Sequence, residues 1–423
     1  MAKPDLTELG TSGLRRSGGF VHEEFLTQLR GRRGFLVYRE MADNDPVIGS
    51  ILYAIEKVIL RLEWRIDPFD DSPEAEEIRN FIDECMEDMS DSWDQTLASI
   101  LSMLVYGFSF HEIVYKMRKG DSKDAKFNSK FEDGKIGWRK FAIRSQETLN
   151  NWMMDADGGI QGYRQIDPSG GGFREIPIDK GLLFRTNVNK NNPEGRSLLR
   201  NCFRPWYYKR RIEEIEAIGI ERDLAGLPVA KVPPEYLSSA ATAQQQSVLQ
   251  EITNIVQNIK RNEQEGVIFP LMYDENGKEM FSLELLSSGG SRQFDTDKVI
   301  SRYDQRISMS VLSDFILLGH EQVGSFALGS QKMDLWTMSV EAIAKSIAEV
   351  MNQYAIPRLM KLNGMNMKLV PTLTYGEVSS VDLKELGDYV QKLIGAGVLT
   401  PDGDLEAYLR EQASLPPAEN LVD

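Results

Sequence analysis

The segment from Thr296 to Arg358 constrains the fold of this chain more than any other part of the sequence. It predicts a helix, then a glycine-containing loop over Gly319 to Gly329, then a long second helix beginning near Ser330. Pro357 is expected to kink or end that second helix. In the first helix, basic side chains recur every four residues and therefore share one face; they are Lys298, Arg302 and Arg306. The pattern favours a rod and a loop held out from a scaffold, and it contains no arrangement typical of a catalytic centre.

The length and net charge of the chain limit the number of its domains and the kinds of partner that it can bind. A chain of 423 residues can hold two or three domains with sizeable cores. The net charge of −15 argues against simple adhesion to nucleic acid, because neutralising phosphates needs a basic surface. It is compatible with a protein past which DNA slides without sticking. No apolar run is long enough to span a bilayer, so no membrane association is expected.

The residue types that most often form catalytic or metal sites are scattered along the sequence. The histidines, at positions 22, 111 and 320, are too far apart in sequence to predict a metal site or a catalytic triad. Cys85 and Cys202 have no metal-ligand spacing and are predicted to be buried free thiols. No phosphate-binding glycine-rich loop with a following lysine is present. Asp155 to Gly159 is interpreted as a hairpin turn and not as a calcium loop. We therefore expect no cofactor, no metal and no enzymatic activity.

The alternative to a chain without enzymatic activity is an enzyme acting on nucleic acid, such as a nuclease, and the sequence supports it less well. It would need a compact carboxylate cluster to hold metal ions. The acidic run from Asp67 to Asp94 spreads its carboxylates around predicted helices, which is typical of a solvated face. Glu112 and His111 are neighbours on a predicted strand and should face opposite sides of it. Neither pattern predicts a reaction site.

The N-terminal half predicts helices followed by a β-meander. Asp45 can cap a helix that starts at Pro46, and a strand with Trp64 follows. Two amphipathic helices come next, and Gly107 is expected to end the second. Glycine-rich turns separate the predicted strands, which are Phe108 to Met117, Trp138 to Arg144, Trp152 to Asp155, Ile160 to Ile166 and Leu182 to Arg185.

The C-terminal half predicts a small unit inserted between long helices. A helix interrupted near Pro205 should continue to about Leu224, with Gly226 and Pro228 stopping it. Within the small unit we expect one helix, around residues 248–259, and strands around 228–232, 267–269 and 281–285. After the two-helix segment, we expect a strand over 369–375 and short helices over about 381–396 and 404–413.

Basic side chains concentrate in two of the predicted helices. One carries the stripe that ends at Arg306, and the other carries Arg200, Arg204, Lys209, Arg210 and Arg211. One interpretation is that these are ordinary solvated faces, paired with Glu213, Glu214 and Glu216 one turn further on. The other is that they contact a phosphate backbone or neighbouring subunits. The sequence leaves both interpretations open.

The order of these elements and several local strings carry a resemblance to a known family. The strings are Tyr38 to Val47 with Leu62 to Ile66, Tyr106 to Ile113, Glu194 to Arg200, and Gly324 to Leu328. Over about residues 36–415 the chain resembles the portal proteins of tailed bacteriophages, in the branch found in Mu-like and related phages. The resemblance implies a mainly α, α+β portal fold with wing, stem, clip and crown regions, which assembles as a ring.

On this resemblance the chain divides into the regions of a portal subunit. They are a flexible arm over 1–35, wing over 36–200, stem helix over 201–227, clip over 228–296, second stem helix over 297–317, channel loop over 318–330, a long kinked helix and strand returning to the wing over 331–378, and a helical crown over 379–423. The candidate DNA-channel residues are Lys298, Arg302, Arg306, Gln322, Ser325 and Lys332. The candidate partner-docking residues of the clip are Glu235, Tyr236, Lys260, Arg261 and Tyr273.

The resemblance also implies a function. A portal is a non-enzymatic ring, typically of twelve subunits in the family, at one capsid vertex, through which double-stranded DNA is packaged and later ejected. The implied partners are further copies of the chain, the terminase large subunit, a head–tail adaptor, the major capsid protein, the scaffold, and DNA that passes without sequence specificity. The implied location is the virion, after assembly in the cytoplasm of a bacterial host. Another structural head or connector protein of a virion is the alternative.

Overall fold

The chain folds into two compact units that each contain helices and strands, in agreement with the predicted α+β class. The first comprises Met1–Phe203 and Ile307–Asp423, and the second comprises Arg204–Arg306. The structure, a computed structural model, describes residues 10–225, 227–258, 273, 277, 279–286, 295–311, 326–378, 383–395 and 400–412. None of the helices within these ranges is long and apolar enough to cross a membrane.

Short-range signals explain the helix boundaries near the N-terminus. The carboxylate of Asp45 accepts hydrogen bonds from the backbone N–H groups of Val47 and Ile48, as predicted for a cap. Gly107 ends a helix with a φ of 95°, a conformation that favours glycine. The elements here are β1 (Arg16–Ser17), β2 (Phe20–Val21), α1 (Gly31–Asn44), α2 (Pro46–Arg61), β3 (Trp64–Asp67), α3 (Pro73–Glu87), α4 (Trp93–Ile100) and α5 (Ser102–Tyr106).

The segment over residues 1–35, expected to be a flexible arm, contains two short strands and the start of α1 within the part that the structure describes. Strands β1 and β2 form a hairpin whose turn carbonyl, on Gly19, accepts a hydrogen bond from the backbone N–H of Trp152 at 2.9 Å. The Arg16 guanidinium donates to the carbonyl oxygens of Asp155 and Ala156, at 3.0 and 2.8 Å. These contacts use backbone groups and one long side chain, so hydrophobic periodicity gives no sign of them.

The predicted β-meander is instead two antiparallel sheets of three strands each. The strands are β4 (Phe108–Met117), β5 (Ile136–Arg144), β6 (Leu149–Met154), β7 (Ile160–Ile166), β8 (Phe173–Pro177) and β9 (Gly181–Arg185). One sheet has the order β5-β4-β9 and the other β6-β7-β8. Strand β8 was not predicted, because it is a mostly exposed edge strand with one buried side chain, Ile176. Strand β9 returns to pair with β4, a non-local contact that no local pattern encodes.

Aromatic rings from α1 and both sheets form a buried cluster in the first unit. The rings of Phe110 and Tyr163 stack with their centroids 4.7 Å apart, and Phe108 contacts Trp152 edge-on at 5.2 Å. Phe35 of α1 contacts Phe108 at 5.8 Å. Offset-stacked and edge-to-face pairs are the favourable arrangements for such rings, and each ring also removes a large apolar area from water. The cluster therefore fixes the two sheets against α1.

The second unit contains an α-helical pair and a small αβ element. Its segments are α6 (Phe203–Ala225), β10 (Leu227–Lys231), α7 (Pro234–Leu237), α8 (Ala243–Asn258), β11 (Ser282–Leu286) and α9 (Thr296–Ser310). Strands β10 and β11 pair antiparallel. The predicted interruption near Pro205 lies just before this proline, between a 3₁₀ turn over Leu198–Arg200 and the start of α6 at Phe203. Pro205 itself lies in the first turn of α6, where its missing N–H costs nothing. The predicted strand over 267–269 lies outside the described residues.

The remaining elements complete the first unit. They are α10 (Phe326–Val350), a π-helical turn (Met351–Ala355), α11 (Ile356–Leu362), β12 (Thr372–Tyr375), α12 (Leu383–Gly395) and α13 (Gly403–Gln412). Pro357 lies in the first turn of α11, so the irregularity precedes it and the helix continues beyond it. The predicted strand ending at Tyr375 is present and pairs with β3. The side-chain amide of Asn352 bonds both the N–H and the C=O of Leu373, at 2.7 and 3.0 Å, which fastens the π-helical turn to β12.

Candidate functional site

The two segments expected to form the stem lie side by side over their described residues. The Lys209 ammonium of α6 is 2.6 Å from the Asp304 carboxylate of α9. About two turns further along, the Thr296 hydroxyl donates a hydrogen bond to the Glu216 carboxylate. Residue numbers rise along α6 as they fall along α9, so the helices run antiparallel. We call this pair the hairpin.

A buried ion pair fixes the register of the hairpin. The Lys209 side chain is only 3% exposed, and its ammonium lies 4.0 Å from Glu213 as well as 2.6 Å from Asp304. A buried charge of this kind is tolerated only with a partner, because desolvation would otherwise cost several kcal/mol. On α6, Arg210 also pairs with Glu214, at 3.1 Å. Lys209 and Arg210, two members of the basic cluster of α6, are therefore paired with carboxylates within the hairpin, as the first interpretation expects.

The predicted basic stripe is exposed along α9, but its members differ in surroundings. Lys298 lies 2.9 Å from the carboxylate of Asp295, and this hydrogen bond raises the pKa of Lys298 and lowers that of Asp295. Arg302 and Arg306 instead each place the guanidinium carbon 5.7 Å from the centre of the Tyr303 ring. This distance is within the range of a cation–π contact. The shared face of the three basic side chains was predicted from their spacing. The difference in surroundings between Lys298 and the two arginines was not.

Tyrosine rings continue this surface across to α6. Tyr303 is stacked with Tyr208, with centroids 6.5 Å apart and planes 23° apart, and Tyr208 contacts Tyr207 at 5.6 Å. All three rings remain partly exposed. The spacing of basic residues, on which the sequence prediction depends, gives no sign of these rings. The signal that would have found them is the Arg-Tyr-x-x-Arg spacing of residues 302–306 together with the Tyr-Tyr pair on α6.

The other candidate residues are distributed as follows. Gln322, Ser325, Lys260 and Arg261 lie outside the described residues, and Lys332 lies in α10, where the structure describes no side chain at that position. Glu235 is exposed in the first turn of α7. The Tyr236 ring contacts Phe281 edge-on at 5.2 Å, so it packs within the small αβ element. Tyr273 is exposed and forms a β-bridge with Glu279.

Four titratable side chains of the first unit that the sequence brings to attention are either buried or ion-paired. His111 is buried, its ring nitrogen lies 2.6 Å from the Ser109 hydroxyl, and burial lowers its pKa to about 4. Glu112 points the other way, as predicted for a strand, and pairs with Arg144 and Lys180. Cys85 and Cys202 are buried free thiols, as predicted, and burial raises the pKa of Cys85 to about 11 and that of Cys202 to about 12.

Two further features of the first unit are a tight turn and a cavity. The segment Asp155–Gly159 is the predicted hairpin turn, closed by a 2.6 Å hydrogen bond from the Gly159 N–H to the Asp155 carboxylate. A cavity of about 740 Å³ lies beside the β1–β2 hairpin, and four of the charged residues around it form two ion pairs, Glu23 with Lys190 and Glu24 with Arg200. Across the described parts of the chain, no group of three or more His, Cys, Asp or Glu side chains converges as a metal site would require.

Known structures share this fold. The neck of an empty gene transfer agent (GTA) particle, computed with C6 symmetry, contains a chain with a TM-score of 0.53 at 12% identity, covering 90% of this chain and 94% of that one. A virion of a native GTA particle matches with a TM-score of 0.53 at 11% identity, over 90% and 93%. The neck of a native GTA particle computed with C12 symmetry matches with a TM-score of 0.53 at 12% identity, over 92% and 95%.

The sequence itself matches a family over nearly its whole length. Residues 35–415 match the family described as portal protein of Mu bacteriophage. This range agrees with the 36–415 over which local strings and element order indicated the resemblance, and it contains the whole second unit and the first unit apart from its two ends. The chain therefore belongs to the phage portal proteins of the Mu family.

Proposed function

We propose that this chain is the subunit of a portal ring, a channel at one capsid vertex through which double-stranded DNA is packaged and later ejected. The observation that carries the proposal is the family match over residues 35–415, combined with the antiparallel hairpin of α6 and α9 that bears an exposed basic face. The role is structural, and the chain supplies no enzymatic step.

The regions of a portal subunit are assigned on that basis. The hairpin is the stem, drawn from 201–227 and 297–317. The small αβ element between its helices, within 228–296, is the clip that docks the terminase large subunit and later the head–tail adaptor. Residues 36–200 and 331–378 form the wing, 318–330 the channel loop, and 379–423 the crown. In support, the clip residues Glu235 and Tyr273 are exposed.

Ring assembly accounts for features of the chain that a monomer leaves unexplained. Subunits related by rotation about one axis make head-to-tail contacts that close without leaving a free surface. Ile215 and Ile218 of α6 are exposed, and covering such an apolar patch is a common reason for association. Twelve subunits is the number we propose, supported by the C12 symmetry of the similar neck.

The charge balance suits a channel for moving DNA. A net charge of −15 disfavours tight phosphate binding, and weak contacts that repeat around a ring allow DNA to slide without stalling. The DNA-channel residues are drawn from Lys298, Arg302, Arg306, Gln322, Ser325 and Lys332. The other partners are the major capsid protein and the scaffold, with assembly in the host cytoplasm and a final location in the virion.

Negative-stain electron microscopy of the purified full chain tests the proposal. We expect end-on views of rings with an open central hole and, in class averages, twelvefold symmetry. A variant with both exposed isoleucines changed, Ile215→Glu with Ile218→Glu, is prepared in the same way for comparison. Its chains should fold but form fewer rings. A wild-type chain that stays monomeric, also when mixed with its capsid protein and scaffold, would contradict the proposal.

A further inference from the structure

We propose that the cavity beside the β1–β2 hairpin binds a guanidinium group on a short alkyl chain, and that the Glu194 carboxylate pairs with its charge. The cavity measures about 740 Å³, and all the residues that line it belong to the first unit. The site is therefore contained in a single chain, and it does not depend on the proposed function of the stem.

The loop that carries Glu194 is held in one conformation by local contacts. Gly195 has a φ of 54°, and a Cβ there would lie 2.3 Å from the carbonyl oxygen of Gly107, so glycine is required. The Glu194 backbone N–H donates to the side-chain oxygen of Asn192 at 3.0 Å. The Asn192 side-chain amide in turn donates to the Gly195 carbonyl oxygen at 3.0 Å. Glu194 is therefore positioned on the cavity wall before a ligand arrives.

Glu194 differs from the two other glutamates of the cavity wall in its electrostatic surroundings. Glu23 lies 3.1 Å from the Lys190 ammonium, and Glu24 pairs with the Arg200 guanidinium. Burial raises the pKa of Glu194 to about 7, and no cationic side chain among the described residues counteracts this effect. A carboxylate that water solvates so poorly gains more from a cation than an exposed one does.

The Trp152 indole lies beside the Glu194 carboxylate and offers it a donor. Trp152 is 1% exposed, and its indole N–H opposes, in part, the effect of burial on the Glu194 pKa. Within the described part of the chain, however, this N–H has no partner at hydrogen-bonding geometry. A donor binds an ionised carboxylate more strongly than a neutral one. A cation that keeps Glu194 ionised would therefore also favour a hydrogen bond from this buried N–H.

Aromatic and apolar side chains supply other parts of the wall. Phe35 and Tyr106 both line the cavity, with their ring centroids 6.0 Å apart, and Val21 lines it as well. A guanidinium is planar, weakly hydrated and well suited to lie against an aromatic ring. Its alkyl chain gains from apolar contact. An arginine-like group thus matches the wall better than a compact, strongly hydrated ammonium.

The basic side chains around the cavity do not make it a site for an anion. Lys190 and Arg200 are the partners of the two paired glutamates. Arg30 and Arg196 are exposed, and each already donates to an oxygen atom of the protein, at 2.6 and 2.8 Å. An anion that enters the cavity would be repelled by the Glu194 carboxylate. The charge that the wall leaves without a partner is negative, so the ligand is a cation.

Isothermal titration calorimetry of the purified full chain with butylguanidine tests the site. Butylurea has nearly the same shape without the charge and is the matched control ligand. We expect butylguanidine to bind about tenfold more tightly than butylurea, because its hydrogen bonds to the carboxylate are charge-assisted. Its affinity should rise about tenfold between about pH 6 and pH 8, as Glu194 ionises around its pKa of about 7. Equal affinities of the two compounds, or binding of neither, would overturn the proposal.

Two variants with the same change in charge locate the binding group. Glu194→Gln and Glu23→Gln each neutralise one glutamate of the cavity wall. E194Q should weaken butylguanidine binding about tenfold and remove its pH dependence, whereas E23Q should keep the affinity within about twofold. Equal losses in the two variants would overturn the role of Glu194. The comparison of the two ligands on the wild type remains decisive if E194Q does not fold.

The guanidinium can come from a free compound or from an arginine of a neighbouring copy, and ring formation distinguishes the two sources. If a neighbour supplies it, folded E194Q chains should form fewer rings, and excess butylguanidine should reduce the rings of the wild type in negative-stain images. If a free compound supplies it, E194Q should form rings as the wild type does. Both results support the site when butylguanidine binds. A wild type that binds butylguanidine but never forms rings would contradict the portal ring and leave the site standing.

Discussion

The two units of the chain differ in how far they bury their apolar side chains and in what holds their elements together. In the first unit the rings of Phe108, Trp152 and Tyr163 are fully buried against one another, and apolar burial holds the sheets together. In the hairpin of the second unit, Ile215 and Ile218 are 68% and 48% exposed, and a buried ion pair sets the register. The first unit completes its own core. The second keeps apolar and charged surface outside, which is typical of a surface that contacts something else.

The largest effect is expected from the aromatic cluster of the first unit. Trp152→Ala would remove a fully buried indole and leave a cavity between α1 and the two sheets, lowering the free energy of unfolding by about 4 kcal/mol. Denaturant titration followed by intrinsic fluorescence measures the change. Phe173→Ala is the control, because that ring is 61% exposed on β8 and its loss should cost less than about 0.5 kcal/mol. Similar losses in the two variants would show that the cluster does not carry the stability of this unit.

The ion pair of the hairpin should produce the next largest effect. Asp304→Ala would remove the carboxylate that lies 2.6 Å from the buried Lys209 ammonium, at a cost of about 3 kcal/mol. The measurement is amide hydrogen exchange along α6 and α9. Lys209→Met combined with Asp304→Leu removes both charges and should recover most of the protection. If D304A exchanged at the wild-type rate, packing and not the ion pair would hold the hairpin.

His111 should make the first unit sensitive to acid, while the hairpin lacks a comparable group among its described residues. Its pKa is about 4 in the fold, against 6.5 ordinarily, so the unfolded chain binds the proton more readily. Stability is therefore complete above about pH 6.5 and falls as the pH drops towards 4, by about 2 kcal/mol between pH 6.5 and 5. Denaturant titrations at both pH values measure it. His111→Gln should show a smaller difference, and an equal difference would assign the acid sensitivity to other groups.

The smallest effect is expected from an exposed ion pair of the hairpin. Arg210 and Glu214 are both about half exposed, and solvent screens their attraction. Glu214→Gln should change the free energy of unfolding by less than about 0.5 kcal/mol, measured by denaturant titration. Comparison of the Glu214→Gln and Asp304→Ala variants tests whether burial determines how much an ion pair contributes to stability. A loss as large as that of D304A would refute this distinction.

Local signals predicted much of the fold and only part of the site. The Asp45 cap, the glycine stop at Gly107 and strand β3 follow from interactions between residues close in sequence. The N-terminal hairpin and strand β8 were missed, because one depends on backbone contacts with β6 and the other lies exposed at a sheet edge. The common face of Lys298 and the two arginines was predicted from spacing, whereas the ring contact that groups the arginines was not.

By itself, the sequence determined which segments form helices and strands, where several of them end, and to which family the chain belongs, because capping, periodicity and motif order act over short distances. Only the tertiary structure decided that β9 pairs with β4, that Lys209 is buried against Asp304, and that Tyr208 reaches Tyr303. Each of these contacts joins residues far apart in the chain, and the free energy that selects them arises from burial and pairing once the elements are packed.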